Sequence, residues 1–187
     1  MWFAHNAQIR LVPVDSPPEI IRFSFLSTKF GRMVMGAIKL DTKDQDAICL
    51  LYFVDKDDKT TFLEAQRRWP KSQLLEDDAV QLVANKLFEC GKENSEVVPI
   101  AVQGTEFQQS VWQALVDLKI GDTFTYSQLA DRMGHPKATR AVANAVAKNE
   151  IAILIPCHRI VSQNGANKYH WGAHLKQQLL AFEKSSY

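Results

Sequence analysis

The sequence has few cysteines and no long apolar run. Its 187 residues include only Cys49, Cys90 and Cys157, and no two of them form a Cys-x-x-Cys pair. An odd number of widely separated cysteines argues against a disulfide framework and against a cysteine-rich zinc site. No apolar stretch approaches the ~20 residues of a membrane-spanning helix, and the N-terminus lacks the layout of a signal peptide. We therefore expect a cytoplasmic protein in a reducing compartment, with no membrane partner.

The net charge is also small. The chain has 22 basic and 21 acidic residues, and its 46% hydrophobic and 23% charged content is typical of a globular protein. Residues 1–100 contain 13 basic and 15 acidic side chains, whereas residues 101–187 contain 9 and 6. The positive excess in the second half is too small to establish nucleic-acid binding by itself, but it directs the search for a site to that half.

The first half predicts a small α/β domain over residues 20–98. Apolar residues alternate in segments that short polar connections separate, which favours a three-stranded antiparallel sheet. The predicted strands are residues 20–27, 31–39 and 47–53, and the predicted helices are residues 61–69 and 78–90. Residues 1–19 contain a Ser-Pro-Pro sequence and predict a leader or linker. No pattern in this half indicates catalysis.

The second half, residues 99–187, predicts a mainly helical domain. The predicted helices are residues 105–118, 126–133, 138–148 and 172–183. Thr125 or Ser127 can cap the second of these helices, which ends at Gly134. This short helix, its glycine turn and the alanine-rich helix that follows match a helix-turn-helix pattern. The alanines fit either a DNA groove or close packing against the protein itself.

Cys157 follows an apolar run, Ile-Ala-Ile-Leu-Ile-Pro, which predicts extended or buried structure up to Pro156. His158 and Arg159 come directly after the cysteine, and nearby positive charge lowers the pKa of a thiol. A reactive cysteine with a lowered pKa is one interpretation. The other is a small buried cysteine without a chemical role, because free cysteine is among the most buried residue types.

The segment from Ile155 to Val161, Ile-Pro-Cys-His-Arg-Ile-Val, follows a helix-turn-helix pattern that has Arg140 near the start of its second helix. This combination closely resembles the O6-alkylguanine-DNA alkyltransferases. Further landmarks of that family are Phe-Gln-Gln-Ser-Val-Trp at 107–112, Thr-Tyr-Ser at 125–127 and Tyr-His-Trp-Gly at 169–172. The resemblance is strong over residues 100–187 and looser before them. Within the family, the sequence resembles most the bacterial adaptive-response type, whose catalytic part follows a regulatory domain.

The resemblance implies a fold and an activity. The α/β first domain would be ribonuclease H-like, and the mainly α second domain would carry the helix-turn-helix and the reactive cysteine. The protein would be a methylated-DNA–protein-cysteine S-methyltransferase that repairs DNA by direct reversal, once per molecule and without a cofactor. Its partner would be double-stranded DNA that carries O6-alkylguanine, bound by a monomer that associates with the nucleoid.

Residue roles follow from the same resemblance. Cys157 would take the alkyl group from O6 of guanine and keep it as a thioether. His158 would act as the base through a water, and Glu183 would orient its imidazole, as in a nucleophile–base–orienter triad. Tyr126 would donate a hydrogen bond to the departing purine. Asn149 would tie the second helix of the helix-turn-helix to the cysteine segment.

The implied DNA-binding roles belong to the helix-turn-helix. The target base must leave the duplex, and Arg140 is expected to fill its place from the minor groove. The other expected DNA contacts are Tyr126, Ser127, Thr139 and Ala141. Tyr126, Tyr169 and Trp171 would line the pocket for the extruded base. Because Trp171 stands where human-type enzymes have glycine, we expect a narrow pocket that accepts methyl adducts better than benzyl adducts.

Human-type members of the family also bind zinc in the N-terminal half. Here that half offers only His5, Cys49 and Cys90, without ligand spacing, so we expect no metal site. Three alternatives to alkyl transfer are a non-catalytic lesion-binding relative, a cysteine hydrolase and a plain helix-turn-helix regulator. The first lacks the cysteine that this chain retains. Adjacent side chains in regular structure point apart, which disfavours a Cys157–His158 hydrolase, and the weak basic charge disfavours the regulator.

Overall fold

The computed structural model describes residues 8–40, 45–89, 97–163 and 169–185. The chain divides into two compact units, Met1–Gln103 and Gly104–Tyr187. Within the described ranges, no helix has both the length and the apolar character that crossing a bilayer requires.

The first unit contains a six-stranded sheet and two helices. The strands are β1 (Gln8–Pro13), β2 (Ile20–Thr28), β3 (Gly31–Leu40), β4 (Gln45–Phe53), β5 (Gln73–Glu76) and β6 (Val97–Val102), in the spatial order β1-β6-β4-β3-β2-β5. The central strands β2, β3 and β4 form an antiparallel meander. The pairs β1–β6, β4–β6 and β2–β5 are parallel. The helices are α1 (Asp58–Arg68) and α2 (Ala79–Glu89).

The meander and both helices match the sequence predictions, but the predicted count of three strands is wrong. Strands β1, β5 and β6 are added to the meander by parallel pairing across long connections. The alternating pattern of β1 covers only Gln8 to Leu11, and β5 and β6 do not alternate. Residues 8–13 therefore belong to the sheet rather than to a leader. The predicted boundary at residue 98 lies inside β6, and the two units divide after Gln103.

The second unit is mainly helical, as the sequence predicts. Its elements are α3 (Glu106–Val116), β7 (Phe124–Thr125), α4 (Tyr126–Arg132), α5 (Thr139–Ala147), β8 (Ile160–Val161) and α6 (Ala173–Ser185), with 3-10 turns at Pro136–Ala138 and Cys157–Arg159. Thr105 and Thr125 begin α3 and α4 with complete capping boxes, in which the threonine hydroxyl and a glutamine three residues later satisfy each other's backbone amides. Helices α4 and α5 are the predicted pair, and Gly134 between them has the left-handed φ of +74° that favours glycine.

The two faces of α5 differ in burial. Val142, Ala145 and Val146 are buried, and the indole Nε1 of Trp112 donates to the backbone oxygen of Ala145 at 3.0 Å. The opposite face, with Arg140 and Ala141, is exposed. The small residues therefore serve close packing on one side and leave a slim exposed surface on the other.

Candidate active site

The apolar run before Cys157 is buried, but it is not a strand. Residues 151–156 form a series of turns, with hydrogen bonds from Leu154 N to Ala152 O at 2.7 Å and from Ile155 N to Ile151 O at 3.2 Å. Ile153 lies at φ +68°, a left-handed conformation that is rare for a β-branched side chain. This strain must be offset by the surrounding contacts, so the segment is held by more than its own backbone preferences.

Asn149 supplies much of that support. Its Nδ2 donates to the backbone oxygens of Ile151 at 3.1 Å and Ile155 at 2.8 Å, and to Sγ of Cys157 at 3.2 Å. Its Oδ1 accepts from the backbone amide of Ile151 at 2.9 Å. A single buried amide at the end of α5 thus joins that helix to both ends of the turn and to the thiol.

Cys157 begins the 3-10 turn and is 9% exposed. Burial raises the pKa of its thiol to about 11, although the Asn149 hydrogen bond and the charge of Lys176 act in the opposite direction. The expected lowering of this pKa by its neighbours in sequence is therefore wrong for the folded protein. The reason is burial of the thiol. Arg159 does not offset it, because its guanidinium donates to Glu183 and, at 2.7 Å, to the backbone oxygen of Leu118.

His158 is completely buried and forms a 2.8 Å hydrogen bond through Nε2 to Oε1 of Glu183. Burial lowers the pKa of the imidazole more than the nearby carboxylate raises it, so the ring is neutral near pH 7. Because a carboxylate only accepts hydrogen bonds, Nε2 carries the proton and Nδ1 has a free lone pair. Among the described residues, Nδ1 has no hydrogen bond partner. It is thus a buried basic nitrogen on the residue next to the thiol.

Glu183 is fixed by three groups. Besides His158, it accepts hydrogen bonds from Nε and Nη2 of Arg159 at 2.9–3.2 Å and from the backbone amide of Gly121 at 3.3 Å. Burial disfavours the ionised carboxylate, but the hydrogen bonds and charges of His158 and Arg159 outweigh it and hold the pKa of Glu183 at about 2. Glu183 is therefore an anion at neutral pH, held in one orientation against the imidazole.

Lys176 is a buried residue of the site that the sequence reasoning missed. Its side chain is 2% exposed, and its ammonium donates to the backbone oxygen of Ile160 at 2.5 Å. Burial lowers the pKa of Lys176, while the charge of an ionised Cys157 raises it. The helical spacing of positions 176, 179 and 183 could have revealed it, since these are the buried residues of α6. A lysine on the same face as Glu183 is otherwise an unusual choice for a buried position.

Two tyrosines lie near the thiol, and Trp171 packs against one of them. Tyr126 begins α4, and burial followed by the charge of Cys157 raises the pKa of its hydroxyl. Burial raises the pKa of Tyr169 well above its usual value, and its hydroxyl has no hydrogen bond partner in the described part of the chain. The Tyr169 ring packs edge-on against two other rings. Its centroid lies 6.5 Å from that of His158 and 5.3 Å from that of Trp171. Tyr169 and Trp171 thus form an aromatic pair beside His158.

The predicted site residues thus fall into two sets. In the first set, Asn149 donates to the thiol of Cys157 and His158 bonds to Glu183, and these two pairs are adjacent because Cys157 and His158 are consecutive residues. Tyr126 and Tyr169 lie close to them. Thr139, Arg140 and Ala141 occupy the first turn of α5, where the latter two are exposed. Of the three potential metal ligands in the first unit, Cys49 is buried in β4, where burial raises the pKa of its thiol. His5 and Cys90 lie outside the described residues.

Comparisons with known proteins point to one family. Residues 106–185 match the family described as 6-O-methylguanine DNA methyltransferase, DNA binding domain. A methylated-DNA–protein-cysteine methyltransferase of Methanosarcina mazei is 40% identical over 126 residues, which are 66% of this chain and 80% of the relative. An inducible protein of the same name from Bacillus subtilis is 38% identical over 127 residues, which are 64% of this chain and 69% of the relative.

Longer relatives and a solved structure extend the match to most of the chain. The Escherichia coli bifunctional transcriptional activator/DNA repair enzyme Ada is 36% identical over 167 residues, which are 87% of this chain but 45% of the relative, so the chain spans less than half of that protein's length. The Mycobacterium tuberculosis OGT structure in complex with DNA is 27% identical, with a TM-score of 0.63 over 88% of this chain and 93% of that one. Together with the Asn149–Cys157–His158–Glu183 group, these matches show that the chain belongs to the methylated-DNA–protein-cysteine methyltransferase family.

Proposed function

We propose that the protein repairs O6-alkylguanine in DNA by transferring the alkyl group irreversibly to Sγ of Cys157. The observation that carries the proposal is the buried group in which His158 faces Glu183 through Nε2 and keeps a basic, unpartnered Nδ1 within the described structure. A thiol whose pKa is raised to about 11 needs such a base near neutral pH.

The proton and the methyl group move in opposite directions. A water between Cys157 and Nδ1 of His158 carries the thiol proton to the imidazole, and Glu183 stabilises the imidazolium that forms. The sulfur then bonds to the methyl carbon while the bond from that carbon to O6 breaks and its electron pair stays on the purine. Tyr126 donates a proton to the purine ring and recovers one from the imidazolium through solvent. The net change moves one methyl to sulfur and one proton to guanine.

Lys176 assists the same step by electrostatics. As Cys157 loses its proton, negative charge develops in a site where burial opposes it. The buried ammonium of Lys176 favours that charge without reorganisation, because its bond to Ile160 O holds it in place. Lys176 therefore lowers the cost of forming the thiolate.

The DNA-binding part of the proposal rests on the exposed first turn of α5. Arg140 fills the space that the extruded guanine leaves, and Thr139, Ala141, Ser127 and Tyr126 contact the minor groove and the adjacent backbone. Minor-groove recognition is largely independent of sequence, which suits a repair protein. The extruded base enters the pocket beside Tyr169 and Trp171. The chain acts as a monomer, with a ribonuclease H-like first unit.

The second candidate is a lesion-binding protein without catalysis. A duplex that contains a single O6-methylguanine distinguishes the two, by intact mass of the protein and nucleoside composition of the DNA. We expect one added methyl per chain and one restored guanine, no addition in Cys157→Ser, and full addition in Cys49→Ala. If the wild type binds the duplex but neither protein nor DNA changes, the protein is a lesion-binding module.

A further inference from the structure

The chain immediately after Cys157 is joined to the start of α4. Strands β7 and β8 pair in parallel, with Phe124 opposite Ile160 and Thr125 opposite Val161. Backbone pairing ends there because α4 begins at Tyr126. If the register continued beyond the paired residues, residue 127 would lie opposite residue 163, two positions after the last pair.

A side-chain hydrogen bond continues that register. Nε2 of Gln163 donates to Oγ of Ser127 at 2.9 Å, across 36 residues of sequence. Oγ of Ser127 also lies 3.0 Å from Oγ1 of Thr125, the cap of α4. We call the first contact the Ser127–Gln163 bridge. Tyr126 lies between the two hydroxyl residues, so the bridge fixes the turn that carries Tyr126 against the segment that begins with Cys157.

The chemistry of the bridge leaves the serine proton available. A hydroxyl has one donor and two acceptor lone pairs, and Gln163 uses one of the lone pairs. The proton of Ser127 can then be donated to Thr125 or, when DNA is bound, to a phosphate oxygen. A contact between Ser127 and the DNA backbone would therefore act, through Gln163, on the position of the segment that begins with Cys157.

We infer that Gln163 is a positioning residue that couples DNA contact at Ser127 to the alignment of Tyr126 with Cys157. The inference rests on the proposed alkyl transfer and adds to it a route by which bound DNA promotes the reaction. Within the described residues, Gln163 forms no hydrogen bond with the thiol of Cys157 or the imidazole of His158. Its effect should therefore depend on DNA rather than on the reacting groups.

The test compares two methyl donors. Single-turnover rates are measured by intact mass with the O6-methylguanine duplex and with free O6-methylguanine base, and their ratio is the DNA-dependent acceleration. We expect Gln163→Ala to lower that ratio by about fivefold, the size of one modest hydrogen bond. Gln113→Ala is the matched control, since it removes an exposed 2.9 Å glutamine bond, to Asp117, that lies within one region of the chain. That variant should keep the wild-type ratio.

A double-mutant cycle separates coupling from independent effects. If the bridge acts as a unit, the ratio in Gln163→Ala/Ser127→Ala is no lower than in Ser127→Ala alone. Three results would each overturn the inference. The first is that Gln163→Ala lowers the rate equally with both methyl donors, and the second is that it leaves the ratio at the wild-type value. The third is that the effects of the two substitutions on the ratio are additive in the double variant. A wild type that reacts with neither donor would instead refute the proposed function.

Discussion

Removing the Asn149 side chain should destabilise the second unit strongly. Asn149→Ala deletes two N–H donors, which are shared among three buried acceptors, and one accepted hydrogen bond. Each bond contributes about 1 kcal/mol net. The backbone oxygens of Ile151 and Ile155 keep backbone partners, but the amide of Ile151 loses its hydrogen bond acceptor, which adds to the cost. We therefore expect a loss of about 4 kcal/mol, a large share of the roughly 5–15 kcal/mol that stabilises a typical domain.

Urea unfolding followed by tryptophan fluorescence measures this loss, with the two units fitted as separate transitions. Buried Trp112, which donates to Ala145 in α5, reports on the second unit. Asn144→Ala is the matched control, because Asn144 is an exposed residue of the same helix. It should stay within about 0.5 kcal/mol of the wild type.

A second substitution tests the direction of the hydrogen bonds. Asn149→Asp keeps the shape of the side chain and one acceptor, but at neutral pH it cannot donate to Ile151, Ile155 or the thiol. We expect it to be at least as destabilising as Asn149→Ala. If Asn149→Ala cost no more than Asn144→Ala, the idea that this amide holds the strained turn at Ile153 would be refuted.

Three further predictions concern charge and pocket size. Lys176→Met should move the pH midpoint of Cys157 alkylation by iodoacetamide upward by about one unit and slow methyl transfer about tenfold at neutral pH; an unchanged midpoint would show that Lys176 does not act on the thiol. Glu183 has a folded-state pKa of about 2 against an ordinary value of 4.5, so its contribution is complete above pH 4.5 and is lost as pH falls toward 2. As pH falls across that range, the free energy of unfolding of the wild type should therefore decrease by about 3 kcal/mol relative to that of Glu183→Gln, measured by urea unfolding. Parallel pH profiles of the two unfolding free energies would contradict this. Trp171→Gly should raise reactivity with O6-benzylguanine at least about tenfold, and no gain would count against a pocket narrowed by Trp171.

Local signals in the sequence predicted much of the fold. Thr125, one of the two caps considered for α4, does begin that helix. The structure adds that Thr105 and Thr125 each form a capping box with a glutamine three residues later. The central meander follows from alternation and short connections. The parallel pairing of β1 with β6 and of β2 with β5 could not be predicted in this way, because it joins segments far apart in sequence and each edge strand is short.

The site shows the same division between what sequence specifies and what only folding reveals. The order Pro-Cys-His-Arg placed a thiol beside two basic residues, but it could not show that Arg159 turns away to Glu183 and Leu118. Burial, which depends on the whole unit, then raises the pKa of Cys157 instead of lowering it. Lys176 was hidden for a related reason, since a charged residue on an amphipathic helix is ordinarily exposed.

The most direct test of alkyl transfer follows one labelled methyl group. A duplex with a single O6-methylguanine that carries a deuterated methyl is mixed with equimolar protein, and peptides are sequenced by mass spectrometry after digestion. The proposed chemistry predicts one label per chain on the Cys157 peptide, none on the buried Cys49, and no second turnover when fresh DNA is added. A label that stays in the DNA, or that leaves it without reaching Cys157, would contradict the assignment of Cys157 as the acceptor.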